Sequence, residues 1–393
     1  MKKFRSPALG KVILLVCSVL FGLLGSECLV RWFHQPARRT FTRLHVPHET
    51  RLFDLRANAT SHYQGEDFSL EFTTNSCGLK DFEIAPKTDD EFRVLCVGDS
   101  YTMGEGLSIE ESFPKVLERL LRAEHPCSHI SVINFGVGGY APWQELSKLK
   151  DVGFELQPDL VVLQLYAEND VVDELDRIDR RARKKDKGYY RSLWMPDDSD
   201  MRRWLRRHSA LFFLADKRWQ ALDFGIHVRP LRVRFMASDI KPLPARPWFF
   251  DTSLKEYNPE LIEGWRLLEE SVRGFRDECQ RRGIPLYALP IPAYYELDIT
   301  LVQRAFAPWG ANVDLGQYDF SKNQRLVTAM LEKLALPAVD VYTPLVKSGD
   351  PSRYYWHHDG HLNAAGARLL AELLMPVVRE EYRMWCEQRA ISD

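Results

Sequence analysis

The chain has 393 residues, 27% of them charged and 45% hydrophobic, with a net charge of −2. This is an ordinary globular composition with room for one large core, which excludes a disordered chain. The near-neutral balance gives no global pull toward nucleic acid. Seven cysteines are scattered without a C-x-x-C pair, so neither metal-ligand spacing nor a disulfide framework can be read.

The amino terminus stands apart. Lys2, Lys3, Arg5 and Lys11 precede an uncharged apolar run from Val12 to Ser26, interrupted by Glu27 and extended to Arg31. Residues 1–31 are read as an uncleaved transmembrane anchor whose charged ends reach the interface, with a cleaved signal peptide as the alternative. Residues 32–88 form a lead-in with short strands, among them the alternating stretch Phe68 to Phe72. The main domain is expected over 89–393.

There strands and helices alternate. Strands are predicted over Phe92–Val97, Ile130–Phe135, Leu160–Leu165, Pro285–Leu289 and Ala338–Val341. Helices are predicted over Glu110–Glu124, Trp143–Val152, Pro259–Arg282 and Asn363–Glu380. Asn363 is a suitable cap, and Leu369, Leu370, Leu373, Leu374 and Val377 make a buried stripe. Such alternation predicts an α/β chain, a central mostly parallel sheet covered by helices on both faces.

Residues 175–255 break the rhythm. Arg177 to Arg207 is rich in Lys and Arg, Trp194, Trp204, Trp219 and Trp248 are interleaved, and Trp204 to Leu222 carries one apolar helical stripe. This is read as a helical insertion over the sheet rim. It is either a docked helix with a solvated basic loop, or a lid or surface for anionic glycan or lipid.

Four segments end a strand or open a helix with the residue types of acyl transfer. Gly98-Asp99-Ser100 follows the first strand. Asn134 to Tyr140, with Gly136, Gly138 and Gly139, follows the second. Ala167-Glu168-Asn169-Asp170 follows the third. Asp359-Gly360-His361-Leu362-Asn363 precedes the last helix. A parallel sheet brings such ends to one rim. A serine hydroxyl needs a base to become a nucleophile, histidine titrates in the right range, and a carboxylate orients the imidazole. The run His357-His358-Asp359-Gly360-His361 also admits a metal reading, but no HExxH helix or Cys pair supports it.

In order and content these four blocks resemble the SGNH (GDSL-type) hydrolases. The lead-in Asn75-Ser76-Cys77-Gly78-Leu79-Lys80 looks like that of bacterial membrane-anchored members. The resemblance implies an α/β/α, flavodoxin-like fold. It also implies Ser100 as nucleophile and first oxyanion donor, Gly139 and Asn169 as second and third donors, His361 as base and Asp359 as its orienter, without metal or cofactor. Two positions depart from the pattern. Ala167 stands where the third block has Gly, and the acid lies two residues before His361, with His358 at the more usual third position.

The activity so implied is hydrolysis of O-acyl esters, acetyl above all, on a cell-envelope glycan or lipid. The catalytic domain is then extracytoplasmic and tethered to the membrane. The alternatives are an O-acyltransferase acting on polysaccharide, and a catalytically silent envelope protein that binds glycan or a partner through residues 175–255.

Overall fold

The computed structural model describes residues 7–33, 39–40, 44–64, 67–126, 128–175, 177, 205, 209–212, 215, 248–298, 300–302 and 315–392. They fall into two units, Met1–Thr40 with Gly188–Ser238, and Phe41–Lys187 with Asp239–Asp393. The stripe expected from Trp204 to Leu222 and most of the insertion lie outside the described residues.

In the first unit, Pro7–Phe33 is one 27-residue helix, α1. Leu14, Leu20, Phe21, Leu24 and Trp32 are exposed along it. The Glu27 carboxylate accepts from Ser209 Oγ at 2.7 Å and from the N–H groups of Ala210 and Leu211 at 2.7 and 2.9 Å. Among the described residues no helix is long and apolar enough to cross a membrane, which corrects the expected transmembrane helix. Lys11 and Glu27 bracket the uncharged run, and its length of about 22 Å falls short of a hydrocarbon core of about 30 Å.

The second unit is built on a four-stranded sheet. Its strands are β5 (Glu91–Val97), β6 (His129–Asn134), β7 (Leu160–Leu165) and β8 (Leu286–Pro290), in the order β6-β5-β7-β8. Every pairing is parallel. Strands covered on both faces need apolar residues throughout, and Val94–Val97 and Leu160–Leu163 are fully buried.

Alternation sorts the side chains of β5. Phe92, Val94 and Cys96 join α3 (Phe113–Glu124) and the last helix, α10 (Ala364–Ser392), in one core layer. Leu95 and Val97 join Leu268, Val272 and Phe275 of α6 (Pro259–Arg281) in the other. The three-layer α/β/α architecture follows from these two faces.

Several boundaries differ from the sequence reading. The helix expected from Glu110 begins at Phe113, because Pro114 suits only a first turn and Ser112 N–H closes a preceding turn on the Ile109 carbonyl at 3.2 Å. The helix expected over Trp143–Val152 is α4 (Pro142–Lys148), followed by a π-turn over Leu149–Gly153. The strand expected over Ala338–Val341 is a single bridge, Ala288 to Ala338. There the Asp340 carboxylate accepts from Thr343 N–H at 3.0 Å and turns the chain into α9 (Tyr342–Lys347). At α10, Asn363 Oδ1 accepts from the N–H groups of Ala365 and Gly366, and the helix runs past Glu380 because Tyr382 and Trp385 pack edge-on against Phe92.

The lead-in packs into this same unit. Strands β1 (His45–His48) and β2 (Leu52–Leu55) form one antiparallel pair, β3 (Thr60–Gln64) and β4 (Ser69–Thr73) another. Leu55 and Phe72 bury against Met103, Val137 and Tyr140, beside the loops that follow β5 and β6.

Candidate active site

Strand β5 ends in Gly98 because nothing larger fits. A Cβ there would collide with the side chains of Thr102 and Gln164. The Asp99 carboxylate accepts from Tyr101 N–H at 2.9 Å and caps α2 (Ser100–Met103), which Ser100 opens. A first-turn N–H has no carbonyl partner within its helix, so the Ser100 N–H is free to serve another acceptor. The Ser100 hydroxyl lies 2.8 Å from His361 Nε2, and His361 Nδ1 lies 2.5 Å from Asp359 Oδ1. The chain thus runs hydroxyl, imidazole, carboxylate across 261 positions of sequence.

Gly139 has φ +80°, the value that the third residue of a type II turn requires, in a turn closed by Tyr140 N–H to the Val137 carbonyl at 3.1 Å. The neighbouring Gly138 is so near that an added Cβ would stand 3.8 Å from Ser100 Cβ. Asn169, near the start of α5 (Ala167–Asp173), donates from Nδ2 to Asp99 Oδ2 at 3.1 Å. One amide proton is fixed there and the second remains for another acceptor. The structure therefore gathers all five expected residues around the end of β5. Ala167 is buried with its methyl accommodated in the apolar layer behind the sheet.

Sequence reasoning missed the residues that hold these groups. Gln164, a polar side chain inside an apolar strand, accepts from Asp99 N–H at 3.1 Å and from the Thr102 hydroxyl at 3.0 Å. That interruption of the run Leu160–Leu165 was the available signal. Tyr101 lies 4.9 Å, ring to ring, from His361 and 4.4 Å from Tyr166, and its hydroxyl donates to the Gly360 carbonyl at 3.3 Å. No local signal marks that contact. His357 and His358 pack ring against ring, and among the described residues no cluster of His, Cys, Asp and Glu could hold a metal ion. The groove lined by Arg276, Cys279, Leu286, Leu334 and Leu336 adjoins the start of β8, the opposite end from Ser100.

Electrostatics favour a cationic imidazole. Burial opposes the charge on His361, but the facing charge and hydrogen bond of Asp359, with Glu105 and Asp99 beyond, raise it to about 9. Its side chain keeps 26% exposure, enough for a substrate to reach the ring. Behind it, burial pushes Glu168 up to about 8, against the hydrogen bond from the Tyr166 hydroxyl. Asp99 is raised by burial, opposed by the Tyr101 N–H and the Asn169 amide.

The matching family is described as the GDSL-like lipase/acylhydrolase family, and it spans residues 96–369. The chain belongs to this family. It is an ester-bond hydrolase with the SGNH fold. Among solved structures it is similar to the lipase/acylhydrolase from Enterococcus faecalis, at 12% identity and TM-score 0.40, over 74% of this chain and 96% of that one. It is also similar to an alpha/beta hydrolase enzyme from the metagenome of Lake Arreo, Spain, at 14% and 0.39, over 72% and 94%. A third is the acetyl xylan esterase AlAXEase, at 13% and 0.38, over 73% and 100%. No curated protein matches the chain in sequence.

Proposed function

We propose that this GDSL-family hydrolase is a serine esterase working by double displacement, with Ser100 as nucleophile, His361 as base and Asp359 as orienter. The observation that carries the reading is the unbroken hydrogen-bonded chain from Ser100 through His361 to Asp359. Neutral His361 takes the hydroxyl proton at Nε2 as Ser100 Oγ bonds to the ester carbonyl carbon. The carbonyl oxygen becomes an oxyanion, received by the N–H groups of Ser100 and Gly139 and the Asn169 amide. Collapse breaks the bond to the alcohol, which leaves with the proton from Nε2. Water then repeats the sequence, releasing the acid and restoring Ser100.

The substrate class we assign is an O-acyl ester, acetyl above all, on a cell-envelope glycan or lipid, with the enzyme held at a membrane outside the cytoplasm. The basic start of the chain, the exposed apolar side chains of α1 and the Trp-rich, basic insertion at residues 175–255 support this assignment. Turnover of p-nitrophenyl acetate, together with covalent labelling by a fluorophosphonate, tests the chemistry. A chain that does neither is not a serine esterase. Release of acetate from O-acetylated envelope polysaccharide or from acetylated lipid tests the substrate class, and release from neither overturns it.

Two expected results follow from the geometry. Asn169→Ala removes a preorganised donor and should lower kcat by roughly 10²–10³-fold with KM little changed, read with p-nitrophenyl acetate. The base must be neutral to act, and its pKa is raised to about 9. Activity should therefore fall as pH drops below that value. Across pH 6–10 the rising limb of kcat/KM should lie near 9, and a limb at the ordinary histidine value of about 6.5 would show that the Asp359 charge is not felt.

A further inference from the structure

The site is braced by a residue outside the stretch that matches the family. Asp67 belongs to the lead-in, ahead of β4, and the family match begins at residue 96. Its Oδ2 accepts from the backbone N–H groups of His358 and Asp359 at 2.6 and 2.9 Å. Two successive N–H groups aimed at one anion form a concave nest, and a nest fixes the peptide planes that make it. The next residue, Phe68, lies 5.3 Å, ring to ring, from Trp356. It also covers Gly106, where an added Cβ would come within 2.6 Å of the ring. Phe68 thus touches both the loop after the nucleophile and the loop that carries the acid and base.

The loop from Trp356 to His361 closes on itself. Trp356 N–H donates to the His361 carbonyl at 2.7 Å, and Gly360 N–H to the Trp356 carbonyl at 3.3 Å. Those bonds shape its two ends. The peptides at 358 and 359, from which the Asp359 side chain departs, are turned by Asp67. Asp67 thus binds backbone N–H groups, while the Asp359 carboxylate itself faces His361 through Oδ1.

We propose that Asp67 is a positioning residue of this hydrolase. Its carboxylate holds the His358–Asp359 backbone so that Asp359 meets His361 Nδ1, and Phe68 ties that brace to the nucleophile loop. The proposal rests on the reading of Ser100, His361 and Asp359 as the catalytic chain. It also gives residues 67–68 a role that neither the motif blocks nor the family match contains.

The test compares Asp67→Asn, Asp67→Glu and Asp67→Ala in the full chain. Each is assayed for fluorophosphonate labelling rate and for kcat and KM on p-nitrophenyl acetate, with thermal melting as a check on folding. Asn keeps an acceptor oxygen at the same reach without the charge. Glu keeps the charge but moves the acceptor by one methylene.

Because a displacement of about 1 Å costs on the order of 10²-fold, Asp67→Ala and Asp67→Glu should slow labelling and kcat by about 10- to 100-fold with KM nearly unchanged. Asp67→Asn should stay within about threefold of the wild type. The proposal is overturned if folded Asp67→Ala labels at the wild-type rate, or if Glu preserves activity and Asn does not. Should Asp67→Ala fail to fold, the Asn and Glu pair decides. A wild-type chain that takes no label at all would instead defeat the catalytic reading beneath the proposal.

Discussion

Ser100→Ala should lower kcat on p-nitrophenyl acetate by roughly 10⁴–10⁶-fold and abolish fluorophosphonate labelling, with KM nearly unchanged. The size follows from what is removed. Without the hydroxyl no acyl-enzyme forms, and only binding and the oxyanion donors remain to assist a direct attack by water. The substitution deletes one oxygen from a small side chain at the start of α2. Its backbone N–H survives, so the fold and one oxyanion donor should persist. A variant that turns over ester at the wild-type rate would remove Ser100 from the mechanism.

Asp359→Asn should be the next most damaging change, costing about 10⁴-fold in kcat at neutral pH. The carboxylate 2.5 Å from His361 Nδ1 accepts that N–H and keeps Nε2 free to take the serine proton. An amide can present an N–H instead, which stabilises the tautomer with its proton on Nε2, the wrong place. The second signature is in the pH profile. The Asp359 charge raises His361 against burial, so its loss stabilises the neutral ring. The rising limb should move from near 9 toward lower pH while the plateau collapses. A limb that stays in place would show that another group, Glu105 or Asp99, holds the imidazolium.

Much of this arrangement can be read from the chain. Apolar runs at 92–97 and 160–165 announce buried parallel strands, and each ends in residues whose small size or polarity suits a rim. Parallel topology then does the rest, because it forces Ser100, Gly139 and Asn169 to the same edge. Less legible were elements set by partners distant in sequence. Ala338–Val341 reads as a strand by composition, but its neighbour β8 offers it one bridge before Asp340 caps the next helix. The helix Lys322–Lys333 carries its buried Val327, Met330 and Leu331 on a polar background, a faint signal against its charged neighbours.

Asp67, Tyr101 and Gln164 illustrate the deeper reason. Each is an ordinary residue in an ordinary stretch, and each owes its place to a contact across tens or hundreds of positions. Local pattern contains no term for such contacts. Chemistry at the reacting atoms demands particular residue types and so leaves motifs, whereas bracing them needs only a hydrogen-bond acceptor or a ring in the right place.

The wide separation of Ser100 and His361 has a consequence for the birth of the molecule. Synthesis delivers the lead-in and the serine well before the imidazole, which follows Ser100 by 261 positions. Asp67 reaches its two N–H partners across 291 and 292 positions. Closing loops of that length makes assembly slow and late. On the proposed chemistry the nascent polypeptide therefore gains the competence to cut esters only once His361 has emerged and packed against Ser100.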